Sequence, residues 1–389
     1  MREFVNQKAK LLQPSGIRKF FDIVQSEKGA ISLGVGEPDF VTAWRVRAAA
    51  ITALQKGRTQ YTGNRGLPEL LELICRYLSE RFSLDYSPKN TIVTVGGSEA
   101  IDLALRACVE QGDEILIPDP AYVSYSPLVL MSDGTPVAVE CREKDNFALT
   151  PELLEKAITP KTKGIILTYP NNPTGAIMQK EQLEKIAEVI IRHDLLVITD
   201  EIYAELTYGK KHYSIANVPG MKERTVYIGG FSKAFAMTGW RLGFVCAPPE
   251  IDDAMFKIHQ YGMLCAPVMS QYAAVEALKD GFSDDFATVA EMRDSYDKRR
   301  KFVLHSLKEV GLDCFVPQGA FYAFPSVLKT GMDGEAFANG LLKSKKVAVV
   351  PGSAFGKFGS NNVRISYAVS MNSLSEAFER MSGFMQENK

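Results

Sequence analysis

Four short segments carry side chains whose types and spacing could do chemistry together. In the first, Asp200 follows the apolar run LLVIT (195–199), with Glu201 beside it and Tyr203 three residues further on. A carboxylate and a phenol at a strand's C-terminal end sit where open α/β sheets bind ligands. A lone Asp at such a place is better read as a helix N-cap. The second segment, GGFSKAFAMTGWR (229–241), holds Lys233 among small residues and Arg241 just ahead of another apolar run. The third is the turn VGGSEAI (95–101), where Gly96 and Gly97 let the backbone approach a ligand and Ser98 opens a helix. Free N–H groups at a helix start, together with a hydroxyl, make a phosphate cradle. The dinucleotide fingerprint G-x-G-x-x-G is missing from that turn, which counts against a nicotinamide enzyme. The fourth is YPNNPTG (169–175), a run of turn formers that offers two carboxamides for a ring hydroxyl.

The elements between these segments must bring them to one edge. Short apolar runs recur at TIVTV (91–95), EILIP (114–118), TPVAVE (135–140), GIILT (164–168), LLVIT, TVYIGG (225–230) and LGFVC (242–246). Runs of this length and β-branched content read as buried strands. The gaps hold helices, as in 179–193, where apolar residues recur at helical spacing. Alternating strands and helices predict a mainly parallel sheet covered on both faces, with its sites at the strands' carboxyl ends. Gathered there, the four segments supply an amine, a carboxylate, a phenol, a carboxamide, a phosphate cradle and an arginine. That set matches pyridoxal 5'-phosphate. Its aldehyde needs a lysine, its pyridine nitrogen a carboxylate, and its ring oxygen and phosphate the remaining donors.

The C-terminal part has another texture. A charged helix over 291–310 is long enough to cross between domains. It is followed by strand-like GAFYAF (319–324), KVAVVP (346–351) and NVRISYAV (362–369), then an amphipathic helix over 374–386. We therefore expect an α/β fold. A large domain (45–290) has a mainly parallel seven-stranded sheet flanked by helices, and a smaller α+β domain covers 291–389. Residues 1–44 form an N-terminal arm packed against the small domain.

Composition narrows the function. In 389 residues, 45 Lys and Arg balance 46 Asp and Glu, so no broad basic surface serves a nucleic acid or an anionic membrane. No run of about 18 apolar residues would span a bilayer, and the first residues lack the apolar core of a signal peptide. Six scattered cysteines and four isolated histidines give no zinc pattern, and the expected setting is cytoplasmic.

Nearly the whole chain resembles the fold-type I pyridoxal-phosphate aminotransferases of the aspartate aminotransferase family. The branch is the bacterial one with aspartate, aromatic and N-acetyl-diaminopimelate aminotransferases. The matching motifs, in order, are LGVGEPDF, YTGNRG, VGGSEAI, PDPAYVSY, YPNNPTG, TDEIYAEL, GGFSKAFAMTGWRLGF, PGSAFG and VRISYA. The resemblance implies that Lys233 joins the cofactor aldehyde and later shuttles the proton. It gives Asp200 to the pyridine nitrogen, Tyr203 and Asn172 to the ring oxygen, and Tyr122 to the ring face. Gly97, Ser98 and Arg241 fall to the phosphate, with Tyr61 reaching in from a second subunit of a homodimer with shared active sites. Arg364 falls to the substrate α-carboxylate as a bidentate pair, helped by the backbone of Gly36.

The chain departs from that pattern at Gly230, where many relatives carry a phosphate-binding serine. An arginine for a distal substrate carboxylate is also missing from the motifs. Arg18 and Arg106 are candidates, and both read better as structural or solvated. The implied reaction moves an amino group from an L-amino acid to a 2-oxo acid, 2-oxoglutarate being the expected acceptor, in two ping-pong stages. The donor is drawn from aspartate, aromatic amino acids and N-acetyl-diaminopimelate. Aromatic residues near the mouth (Phe20, Phe21, Tyr61, Tyr125) suit an apolar or aromatic side chain. The alternative is a carbon–sulfur β-lyase on the same scaffold. A cofactor-sensing regulator would need an added DNA-binding domain, for which the chain has no spare length.

Overall fold

The seven apolar runs all form strands in the computed structural model, which describes residues 2–14, 16–17, 27 and 29–388. Arg18, Phe20 and Phe21 lie outside the described residues. After a two-residue β1 (Ile31–Ser32) come β2 (Thr91–Thr94), β3 (Glu114–Asp119), β4 (Thr135–Glu140) and β5 (Thr162–Leu167). They are followed by β6 (Leu196–Asp200), β7 (Thr225–Gly230) and β8 (Gly243–Cys246). β2 to β8 join in one sheet in the order β2-β8-β7-β6-β5-β3-β4. Only β8 runs against its two neighbours, so β2 points the same way as the parallel strands.

Side chains alternate across this sheet, which is why the strands read as unbroken apolar runs. Ile115 and Ile117 pack in one core with Ala100, Ile101 and Ala104 of the helix Gly96–Cys108. Leu116, between them, belongs to the opposite core with Ile186 and Ile190 of the helix Lys180–Arg192. That second helix starts where its sequence says it should. Gln179 accepts at the N-cap and the Gln182 side chain reaches back to it, a reciprocal capping box.

The C-terminal strands are shorter than their apolar runs. β9 (Tyr322–Ala323), β11 (Val350–Pro351) and β12 (Val363–Ser366) form an antiparallel sheet in the order β11-β12-β9. β10 (Val347–Ala348) instead pairs in parallel with β1, Ile31 opposite Val347. The run KVAVVP therefore divides at the buried Val349 and serves two sheets. This pairing ties the segment 31–37 to the C-terminal part and sets it beside the large sheet's carboxyl edge. The helix Ala287–Glu309 leads into this region and Met371–Glu387 closes the chain. Among the described residues no helix is long and apolar enough to cross a membrane, and no His, Cys, Asp and Glu cluster could hold a metal ion.

Candidate active site

The parallel strands deliver the candidate residues to one edge. Asp200 is the last residue of β6, Lys233 lies just past the end of β7, and Asn172 sits in the loop after β5. All the candidate residues except Tyr61 line one cavity of about 370 Å³: Gly36, Gly97, Ser98, Tyr122, Asn172, Asp200, Tyr203, Lys233, Arg241 and Arg364. Tyr61 stands apart at 82% exposure.

The helix Gly96–Cys108 begins almost directly after β2 and places Gly97 and Ser98 in its first turn. Gly96 has φ +72°, and a Cβ there would lie 2.6 Å from Arg241 Nη2. Glycine alone lets that guanidinium cross the helix start, where unpaired N–H groups and the helix dipole already favour an anion. At Gly230 a Cβ would come within 2.8 Å of Ile202 Cδ1. A serine there would require the end of the Ile202 side chain to shift.

Lys233 Nζ donates to the Gly36 carbonyl at 2.7 Å. Burial pushes its amine down to about 8; Arg364 and Arg241 reinforce that shift, while Glu37 and Asp200 oppose it. Asp200 is buried, and burial raises its carboxyl above the usual range. Two donors work against that rise: the Tyr125 hydroxyl at 2.8 Å and the Ile202 N–H at 3.3 Å. Behind it the buried Glu201 accepts from the Thr199 and Ser214 hydroxyls at 2.9 and 2.6 Å, with His212 Nε2 at 2.6 Å.

Arg364 is 2% exposed, yet its guanidinium bonds only neutral oxygens among the described residues. Nη1 donates to Asn172 Oδ1 at 2.8 Å and Nη2 to the Gly34 carbonyl at 2.6 Å, while Nε has no partner among them. The Tyr322 and Phe355 rings lie 4.5 and 4.7 Å from its guanidinium carbon. A buried cation without an anion is costly, and Arg364 lines the cavity, where an anionic ligand would relieve that cost. The carbonyl that touches Arg364 is thus Gly34's, whereas Gly36's serves Lys233. Asn172 is held in a turn whose Asn171 Oδ1 accepts from the Thr174 N–H and hydroxyl at 3.1 and 2.8 Å.

Two positions that line the cavity had parts in it that were not legible in the sequence. Tyr125, expected at an aromatic mouth, is 1% exposed; its hydroxyl is bonded to Asp200 and lies 2.5 Å from the Thr168 hydroxyl. The motif PDPAYVSY was its only signal. Tyr322 lies in a run that reads purely as a strand. It bonds the Tyr203 hydroxyl at 2.8 Å, and its own hydroxyl closes over Gly36. Arg106 is solvated and paired with Asp102 at 2.9 Å, the structural part expected of it.

The sequence matches the family model "Aminotransferase class I and II" over residues 28–381. The chain belongs to this family. It is 54% identical over 388 residues, the full length of both chains, to "Putative aminotransferase YugH" of Bacillus subtilis. To an aspartate aminotransferase of Pyrococcus abyssi it is 47% identical, with 97% of each chain covered. The solved aromatic aminotransferase of Pyrococcus horikoshii superposes with a TM-score of 0.90 at 46% identity, covering 95% of this chain and 99% of that one.

This aminotransferase depends on pyridoxal phosphate, and its cavity fits that group. The helix start and Arg241 suit a phosphate, the half-buried Lys233 an aldehyde, and the buried Asp200 a protonated ring nitrogen. Asp200 in particular has hydrogen-bond donors but no cation bonded to it among the described residues, so a pyridinium N–H would complete it.

Proposed function

We propose that the chain transfers the amino group of an L-amino acid to 2-oxoglutarate in two half-reactions. The observation that carries this is the opposition of two groups across one cavity. Lys233 has an amine shifted toward neutrality, and the buried Arg364 bonds no anion among the described residues. The bound cofactor supplies an electron sink for the bonds at the substrate α-carbon. In this reading Arg364 grips the α-carboxylate with guanidinium N–H groups that Asn172 and Gly34 leave free, and so turns the α-hydrogen toward Lys233. Lys233 Nζ takes that proton as general base and returns it elsewhere as general acid. Asp200, whose charged form the Tyr125 hydroxyl and the Ile202 N–H favour, keeps a proton on the ring nitrogen. Asn172, whose Oδ1 is committed to Arg364, still has its N–H₂ to donate to the ring oxygen. Tyr203 would donate to the same oxygen, Tyr122 would cover the ring face, and Gly97, Ser98 and Arg241 would hold the phosphate.

Relatives carry the names aspartate, aromatic and N-acetyl-diaminopimelate aminotransferase. Beyond the cofactor set the cavity walls include Ile17 and Val35, which favours an apolar or aromatic donor side chain. The exposed Tyr61 supports a homodimer in which each chain lends that tyrosine to the other's phosphate. Unpaired cysteines suit a cytoplasmic setting.

The test is an absorbance titration of the purified, cofactor-loaded protein with single amino acids and no oxo acid. Loss of the lysine-bound cofactor's visible band, restored by 2-oxoglutarate, is expected and names the donor. A band that persists while pyruvate and ammonia appear would instead make the protein a β-lyase.

A further inference from the structure

The loop 61–67 is held far more firmly than an ordinary surface loop. Arg65 forms a two-pronged pair with Asp252 at 2.9 and 2.6 Å and lies over the Phe256 ring at 4.2 Å. Gln271 accepts from the Leu67 N–H at 2.8 Å and donates to Thr62 at 3.2 Å. At the centre of the loop, the Asn64 carbonyl lies 3.0 Å from Nε2 of His259, a side chain with 0% exposure. The other imidazole nitrogen, Nδ1, lies 2.6 Å from Glu99 Oε1. The Asn64 carbonyl can only accept, so Nε2 donates to it, and the ring is held from its other side by Glu99. The second oxygen of Glu99 accepts the N–H of Val95, the residue that caps the helix Gly96–Cys108.

The best-attested use of a buried polar pair is to fix one arrangement over others. This one fixes the loop that begins at Tyr61 against the first turn of the helix that holds Gly97 and Ser98. Tyr61 itself has almost no contact with its own chain. A loop clamped this tightly, with an aromatic side chain left in solvent, is built to present that side chain to something outside the chain.

Accepting the shared-site homodimer of the proposed function, we propose that His259, bonded to Glu99, is a positioning residue for the cofactor site of the other subunit. It sets the Tyr61 that each chain delivers, and registers that tyrosine to the chain's own phosphate-binding helix. The two sites are then linked through one buried bond in each chain.

Hybrid dimers assembled from two differently tagged chains test this. One chain carries Lys233→Ala, so the visible band of lysine-bound cofactor reports only the intact chain's site. Stripped hybrids are titrated with pyridoxal phosphate, and the dissociation constant is read from that band. His259→Phe on the Lys233→Ala chain should weaken binding at the intact site roughly tenfold, the loss of about one hydrogen bond to a charged group. Tyr61→Phe on the same chain should do likewise, and the double variant should be no worse than either. If Tyr61→Phe weakens binding in this arrangement and His259→Phe does not, the inference falls while the shared-site dimer stands. If neither does, or the wild-type chain sediments as a monomer, the shared-site reading falls and takes the inference with it. Should His259→Phe not fold, His259→Gln, which keeps one donor, gives the same comparison with a smaller loss.

Discussion

An amine that must both bond a carbonyl and carry a proton needs an appreciable neutral fraction near working pH. Lys233 meets that need through burial, which brings it down to about 8. In cofactor-free protein it should react with an amine-directed reagent along a curve that rises with pH through that value. A lysine in a short unstructured reference peptide follows the ordinary range, about 10.4. Mass spectrometry of the labelled peptides reads both, and a Lys233 curve coinciding with that of the reference peptide would refute the depressed amine. Its neighbour Asp200 depends in turn on Tyr125. Tyr125→Phe removes a donor to Asp200, so the carboxyl should rise further and the ring nitrogen lose part of its hold on a proton. We expect kcat to fall roughly tenfold, about one charge-assisted bond, with KM little changed. A raised KM for aromatic donors at constant kcat would return Tyr125 to the substrate wall. Its type was legible in the sequence but its bond was not. The motif PDPAYVSY says that a tyrosine stands here, not that the last residue of β6 comes within 2.8 Å of its hydroxyl.

At the scale of elements, the strands that carry the site were readable because both faces of the large sheet are covered, which leaves their central residues almost uniformly apolar. Segment 33–37 was not readable in this way. Its place depends on two residue pairs between β1 and β10 and on scattered bonds from distant residues to Leu33, Gly34 and Gly36, which leave no period in the sequence. A second joint between the large sheet and the C-terminal part is Asp119, at the end of β3. It is 6% exposed, with one carboxylate oxygen lacking a partner among the described residues. Burial raises its carboxyl to about 6, against the backbone N–H groups of Phe358 and Lys357 that hold the charged form. The folded protein therefore binds this proton more tightly than the unfolded chain does. The resulting stability is whole below the ordinary aspartate range, near about 3.9, and is lost as pH rises through the folded value. Over that window the loss is on the order of 3 kcal/mol, at about 1.4 kcal/mol per pH unit. Asp119→Asn should flatten that dependence, so that the melting temperature declines less than the wild type's as pH rises. A variant with the wild-type slope would show that other carboxylates carry it.

At the scale of the whole molecule, the helix Trp44–Gln55 is apolar on two sides. Val46, Ala50 and Ala53 face the core, while Trp44, Ile51 and Leu54 are 63, 45 and 55% exposed and fall along the other side of the same helix. Sequence periodicity cannot separate an inward stripe from an outward one on so short a helix, so this surface was invisible until the chain was folded. Exposed apolar stripes of this kind are expected where a second chain covers them. If that chain is a second copy, charging the stripe should separate the copies. Wild-type protein should sediment at twice the chain mass, and Ile51→Asp with Leu54→Asp at the single mass with its far-ultraviolet circular dichroism retained. The separated chains should also hold pyridoxal phosphate less tightly, since Tyr61 does not line its own chain's cavity. A variant that stays dimeric would move the interface elsewhere. A monomer with undiminished cofactor affinity would separate the stripe's role in assembly from any part of Tyr61 in holding the phosphate.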